Sequence, residues 1–338
     1  MRPVSGAKEI YTMQIDNRTI RNILVVRNDR FGEFLLNIPA FRALKETFTH
    51  ARLIAVIDPY VKELAQSLPL IDEIIEWDRG KHSFSAKLRL IKLLSRKSID
   101  MAVILNPSKD FHIITYLAGI PIRVGYDRKW GFLLTHKIKD KKYLGEKHEV
   151  EYNLELVSLV GARTEDKTLS IPIDDNIIND LLRNADIKDY SNLVALHPWT
   201  SDPIKQWPLE YFLALTQRLI RELNLKVVII GGRDELEKDI YFHQNPEDNL
   251  INMTGRTTLK QLAALLKKCR LLISGDSGPV HLACAVTTRV LAIFRSGIAG
   301  KSARRWGPRG EGHIIVEKDN LRDINPDEVF NKVKETLK

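Results

Sequence analysis

The chain has 338 residues, 44% of them apolar, enough for two domains with real cores. No run of about 18 apolar residues occurs, so no transmembrane helix is expected, and residues 1–22 are polar without a signal-peptide apolar stretch, which predicts a cytoplasmic protein. The net charge of +9 is uneven: residues 1–165 hold 27 Lys and Arg against 20 Asp and Glu, the remainder 25 against 23. An excess of cations in the first half suggests an anionic partner there, be it nucleic acid, anionic lipid or a phosphorylated glycan, although a merely solvated basic surface produces the same count.

Elements follow in chain order. Residues 23–27 (ILVVR) read as a buried strand, and 33–48 as a helix kinked by Pro39. Residues 52–57, 72–76 and 101–105 are further strands, with helical stretches at 59–67, 85–97 and 110–118 between them. Continuous apolar strands alternating with helices predict a parallel sheet covered on both faces. Residues 166–191 mix charge, Pro and Asp and are read as an inter-domain linker with a short amphipathic helix. The alternation then restarts, with strands at 193–197, 226–231, 271–274 and 290–294. Helices fall at 209–223, 258–268 and from 280, and a closing helix at 326–337 is capped by Asn325. The expected domains are therefore 1–165 and 192–338, with the last helix a candidate for packing back on the first. Two successive parallel α/β units place a ligand crevice between them, at the carboxyl ends of strands.

Four segments carry chemistry. Residues 273–285 (ISGDSGPVHLACA) run from a strand through small residues into a helix. Asp276 or Ser277 is expected to cap that helix, Ser277 and Gly278 let a ligand reach the backbone, and the free N–H groups suit a diphosphate. Residues 197–208 (HPWTSDPIKQWP) leave a strand at the same sheet edge. His197 opens the segment, Thr200 and Ser201 offer hydroxyls, and Lys205 offers a cation for a developing diphosphate charge. Residues 27–33 (RNDRFGE) hold one glycine and so are no dinucleotide fingerprint. They place Asp29 and Glu33 where one could take a proton from a hydroxyl. After Gly231-Gly232, Glu235 or Glu237 either accepts from a ribose or caps a helix. His281 is either a ligand group or a core histidine bonded to backbone. Cys269 and Cys284 lack metal-ligand spacing and are expected as reduced core residues.

Taken together, Gly32-Glu33, Pro39, Leu44-Lys45, His197-Pro198, Lys205, Trp207-Pro208, Gly231-Gly232, Thr254-Gly255 through Leu259, and Asp276 through Ala285 resemble the bacterial heptosyltransferases, glycosyltransferase family 9. The resemblance runs from about Ile23 to Phe294. It implies a GT-B fold of two Rossmann-like domains with parallel sheets facing a central cleft, no metal or other cofactor, and an inverting transfer from a nucleotide diphosphate sugar, ADP-heptose in that family. It implies donor contacts from His197, Thr200, Ser201, Lys205, Glu235, Asp276, Ser277, Gly278 and His281. A phosphorylated, lipid-linked lipopolysaccharide-core acceptor would lie on the first domain, with Arg128 and Lys129 among its contacts, and the enzyme would sit peripherally at the inner face of the inner membrane. Two basic groups match that half: Lys81, Lys87, Arg89, Lys92, Arg96 and Lys97, and then Arg123, Arg128, Lys129, Lys137, Lys139, Lys141 and Lys142.

The family's proposed base is an Asp where this chain has Glu33, which leaves three readings: Glu33 is the base, Asp29 has taken over, or the enzyme is impaired. Arg295-Ser296 also departs from the family's Gly-x-Thr, which bears on donor preference. Three rivals stay open: a non-catalytic nucleotide-sugar or glycan binder, a sugar-nucleotide epimerase of the same fold, and a nucleic-acid binder. The last lacks a helix-turn-helix, zinc spacing or an aromatic-rich basic strand. The stretch 84–97 (FSAKLRLIKLLSRK) has two uses for its leucines, core packing or contact with the membrane surface.

Overall fold

The structure, a computed structural model, describes residues 15–184 and 190–338. The first half runs β1 (Asn22–Arg27), α1 (Phe31–Leu35), α2 (Ile38–Thr47), β2 (Arg52–Ile57), α3 (Lys62–Gln66), β3 (Glu73–Glu76), α4 (Phe84–Ser95), β4 (Met101–Ile104), α5 (Lys109–Leu117), β5 (Ile122–Tyr126), β6 (His136–Ile138) and α6 (Glu149–Ser158). Helix α7 (Asp175–Asn184) lies in the expected linker. The second half runs β7 (Leu193–His197), α8 (Leu209–Leu223), β8 (Lys226–Ile229), α9 (Ile240–His243), β9 (Leu250–Asn252), α10 (Leu259–Lys268), β10 (Leu271–Gly275), α11 (Gly278–Ala285), β11 (Val290–Arg295), α12 (Ala303–Trp306), β12 (Ile314–Lys318) and α13 (Pro326–Leu337).

Two six-stranded sheets result, in the orders β3-β2-β1-β4-β5-β6 and β12-β11-β10-β7-β8-β9, and every pairing within them is parallel. The two orders are the same topology repeated. In each, the chain builds outward on one side of its first strand, then returns to build on the other. The reversal falls between β1 and β4 in one sheet and between β7 and β10 in the other, and a crevice opens beyond the strand ends at such a point. The loops after β1, β7 and β10 lie within the three motif segments 27–33, 197–208 and 273–285.

Central strands β1, β4, β7 and β10 are buried almost throughout because both sheet faces are covered by helices. One apolar cluster spans both halves, joining Phe34, Leu44 and Leu53 to Leu265, Val280 and Leu282. Between the halves α1 packs on α11, and α3 on α10. The expected single helix over 33–48 is instead two, α1 and α2. Pro39 sits in the first turn of α2, since it has no N–H to give and its ring excludes the carbonyl a turn back. The last helix packs on α8 in its own half, with the Arg218 guanidinium 3.8 Å from the Phe330 ring, rather than returning to the first half. Strands β5, β6, β9 and β12 and helix α6 were not anticipated. Residues 166–174 are held on both sides: Arg42 donates to the carbonyls of Asp166 and Thr168, and the Ile171 N–H donates to Ala285. Residues 1–14, most of the expected N-terminal extension, lie outside the described residues.

Candidate active site

The loops after β7 and β10 form one wall of the cleft. Neither Asp276 nor Ser277 caps α11 as the sequence suggested, because both side chains are engaged elsewhere. Asp276 pairs with Lys205, reaching across from the β7 loop. Burial pushes the Asp276 carboxyl up, and the Lys205 ammonium offsets this only in part. The Ser277 hydroxyl lies 2.8 Å from that of Ser274, which lies 3.2 Å from Nδ1 of buried His197. On its other side His197 Nε2 is 3.6 Å from Glu235, which also accepts from the Gly232 N–H at 2.7 Å. Burial alone would raise the Glu235 carboxyl, but His197 and the Gly232 N–H outweigh it and hold it below the usual range. A continuous polar line thus runs from the β8 loop, through the ends of β7 and β10, to the start of α11. The α11 backbone N–H groups are left without a side-chain cap at the positive end of the helix.

Thr200 is buried and its hydroxyl donates to the Asp202 carbonyl, so it braces its own loop. Ser201 is exposed and accepts from Arg30 of the opposite half at 3.1 Å. His281 is fully enclosed on the first turn of α11, with Nδ1 lacking a partner, and burial drives its pKa down to about 3, so the ring is neutral. Two more buried polar atoms without partners, Trp199 Nε1 and Thr254 Oγ1, belong to side chains that crowd Gly231. A Cβ there would meet Trp199 Nε1 at 2.7 Å and Thr254 Cγ2 at 2.9 Å. Ser274, Trp199 and Thr254 lie inside the segments and family pattern singled out in sequence, but none was named there as a site residue. A serine inside an apolar strand and a tryptophan beside a proline carry no signal of their own.

The opposite wall is the β1 loop and α1. Here the two carboxylates separate in role. Asp29 is bound to buried Arg27 at 2.7 Å. Among the described residues Glu33 makes no ion pair, and its Oε2 is buried without a partner. Burial, and then the charge of Asp29, raise its pKa against the pull of Arg27 and Arg30. An unpaired, partly desolvated carboxylate with a raised pKa is the better proton acceptor of the two. The walls touch just beside it. A Cβ on Gly32 would lie 3.0 Å from the Gly278 Cα and 3.2 Å from His281 Cδ2, and one on Gly278 would strike the Phe31 ring at 2.3 Å. Glycine at both positions lets α1 and the start of α11 meet backbone to backbone.

Below this contact lies a charged cluster shared by both halves. Glu149 is buried with Lys142 at 2.6 Å and Arg305 at 2.9 Å, and Asn153 also accepts from Lys142. Burial would raise Glu149, but Lys142, Arg27 and Arg305 hold it low. Arg309 meets Glu151 at 3.0 Å, and Gly145 approaches Gly300 so closely that a Cβ would lie 2.7 Å from its nitrogen.

The expected basic acceptor surface is corrected in part. Lys142 is buried in that cluster rather than displayed, and Arg123 is turned onto the carbonyls of Leu133 and Ile120. Arg128 pairs with Asp140 at 2.7 Å, while Lys129 donates to the Pro107 carbonyl at 3.1 Å, tying the loops after β4 and β5. Both lie in the loop after β5, on the same sheet edge as Glu33, and among the described residues no hydrogen bond or ion pair joins them to the donor loops. Cys269 and Cys284 are free and buried. Among the described residues no helix is long and apolar enough to cross a membrane, and no group of three His, Cys, Asp or Glu is placed to hold a metal.

The cleft thus lies between two parallel sheets of repeated topology, with an uncapped helix start on one wall and an unpaired carboxylate on the other. The family model "Glycosyltransferase family 9 (heptosyltransferase)" matches residues 87–325. The chain belongs to this family and is a glycosyltransferase. It is 25% identical over 288 residues to lipopolysaccharide heptosyltransferase 2 of Salmonella typhimurium, covering 80% of this chain and 82% of that one. Its fold matches a family 9 glycosyl transferase from Veillonella parvula with a TM-score of 0.82, at 21% identity and covering 94% of this chain and 97% of that one. It matches E. coli ADP-heptose lps heptosyltransferase II with a TM-score of 0.80, at 20% identity and 94% and 98% coverage.

Proposed function

We propose that the protein transfers a heptose, with inversion, from ADP-heptose to the core of lipopolysaccharide or a related envelope glycan. The observation that carries this reading is the juxtaposition of unpaired Glu33 with the uncapped start of α11 across the Gly32–Gly278 contact. The names of the relatives supply the donor and acceptor classes.

In this reading the domain of residues 192–338 holds the donor, the domain of residues 1–165 the acceptor, and 166–191 links them. The diphosphate lies at the α11 N-terminus beside Ser277 and Gly278. Lys205 exchanges part of its contact with Asp276 for the phosphate oxygens, and Ser201 and Thr200 complete the loop around them. Glu235, held by His197 and the Gly232 N–H, offers its second oxygen to the ribose. Glu33 takes the proton of the acceptor hydroxyl, whose oxygen attacks the anomeric carbon on the face opposite the leaving diphosphate. Charge gathering on that diphosphate is met by Lys205 and the helix end, fixed in place before reaction. Neutral His281 offers Nδ1 to a phosphate or sugar hydroxyl. No metal takes part, and Asp29 orients Arg27 rather than acting as base. The acceptor is met at the inner face of the inner membrane, where Arg128 and Lys129 contact its phosphates and the protein acts as a peripheral partner.

The test is a transfer assay with ADP-heptose and a heptose-accepting core oligosaccharide, with ADP, GDP and UDP compared in thermal shift. Transfer with inverted stereochemistry and a selective ADP shift are expected. Transfer from another nucleotide sugar would replace the donor, and a shift without any transfer would leave a binding protein.

A further inference from the structure

The stretch 84–97 holds five cations and no acid. The structure divides its apolar residues between two uses. Leu90 and Leu94 are buried in the cluster that also holds Phe111 and Leu134. Phe84, Leu88 and Leu93 face outward, 77%, 47% and 42% exposed. Between these three stand Arg89, Lys92 and Arg96, all exposed and in no ion pair among the described residues. Lys87 and Lys97 on the flanks are matched, to Asp110 and Glu73. An ordinary solvated face would mix signs and would not hold out a phenylalanine.

A second apolar tip adjoins this face. Helix α4 packs on α5, and α5 on residues 131–133. There Phe132 is 70% exposed with Trp130 beside it, ring centroids 5.7 Å apart. Lys129 and Trp130 both adopt positive φ, 50° and 73°, a conformation that non-glycine residues take at a cost. Phe84 follows β3 and Trp130 follows β5, so both stand at the sheet edge that carries Glu33.

We propose that the outer face of α4, with the aromatic tip at Trp130 and Phe132, docks the protein on a bilayer surface rich in anionic phospholipid. Exposed Phe, Leu and Trp enter the boundary between headgroups and acyl chains, while Arg89, Lys92 and Arg96 lie along that boundary with their charges among lipid phosphates. Unmatched positive charge selects an anionic surface, and apolar groups spread over three helical turns fit an extended boundary better than a compact sugar phosphate. The surface rests on the reading of a membrane-borne acceptor and would bring the Glu33 edge to it.

The test is co-sedimentation of the full chain with vesicles of phosphatidylglycerol and phosphatidylethanolamine, against phosphatidylcholine alone, over a range of salt. Binding to the anionic vesicles that weakens with salt is expected. Phe84→Ser with Leu88→Ser should weaken it roughly tenfold at every salt concentration. Arg89→Gln, Lys92→Gln and Arg96→Gln together should weaken it and flatten the salt dependence. Unchanged thermal midpoints show that the variants are folded, and Phe84→Ser alone serves should the double variant misfold. No sedimentation of the wild type with anionic vesicles, or variants that bind as it does, overturns the proposal. The readout needs neither donor nor acceptor, so it stands or falls apart from the transfer assay.

Discussion

The two halves repeat one topology and, in the proposed reading, put it to opposite use. In the second, the charged groups at the switch point are already matched, Lys205 with Asp276 and Glu235 with His197 and Gly232, and the buried atoms without partners, Trp199 Nε1, Thr254 Oγ1 and His281 Nδ1, sit on neutral side chains. In the first, the corresponding edge leaves Glu33 unpaired and desolvated. A wall of matched groups keeps its shape before the ligand arrives, as binding and charge stabilisation require. A lone carboxylate is held at some cost in stability and is suited to reaction. In the proposed reading the fold supplies the edge, while the pairing state of side chains on it decides which wall binds and which reacts.

The largest expected effect falls on the reacting wall. Glu33→Gln should lower kcat by about 10²–10⁴-fold while leaving ADP affinity near its starting value. Because the folded pKa of Glu33 is raised, its charge costs stability above that pKa, and the cost is gone below the unfolded value, where the carboxyl is protonated in both states. Removing the charge should therefore raise the thermal midpoint at neutral pH, and the gain should vanish as pH falls through the ordinary carboxylate range. The same raised pKa should place the acidic limb of the kcat profile above that range. A loss of ADP affinity equal to the loss of kcat would break the division between the walls.

Next comes the seam. Gly278→Ala drives a methyl into the Phe31 ring and should lower kcat/KM by about tenfold or more, the size expected of a small misplacement. Phe31→Leu should recover much of this in the double variant, since the clash is with that ring. Additive losses would show that Gly278 matters for some other reason. On the binding wall, Lys205→Ala should weaken ADP binding and cost about 2 kcal/mol of stability, below the ~3–5 of a fully buried pair because both partners keep some exposure. Adding Asp276→Asn should restore stability but not binding, as read by melts with and without ADP. The smallest effect is expected at Ser274→Ala, which interrupts the line from His197 to Ser277 at about 0.5–1.5 kcal/mol, visible as a few-fold rise in KM for the donor.

Legibility in sequence followed burial and charge matching. The central strands and the loops behind them were readable because strands covered on both faces are apolar throughout. Strands β6 and β9, three residues each and half-exposed, and β12, with two exposed residues, have no such run. The motif residues were placed correctly at the strand ends, but their partners were not, since Asp276 reads as a cap until Lys205 arrives from 71 residues away. The basic stretches misled where the fold turns cations inward, most plainly at Lys142, which pairs with Glu149 of its own half in a buried cluster completed by Arg305 of the other.

That shared cluster bears on how the molecule can breathe. Drawing Arg305 away from Glu149 would strand a carboxylate out of water with one cation too few, a far heavier cost than parting the exposed Arg30 from Ser201. The cleft should therefore behave like a book bound along its spine. The floor near Gly145, Gly300 and the cluster stays shut, and the outer loops swing. A bulky acceptor would then enter, and nucleotide leave, over the mouth alone, and the reach of that swing would limit how large a glycan the enzyme can serve.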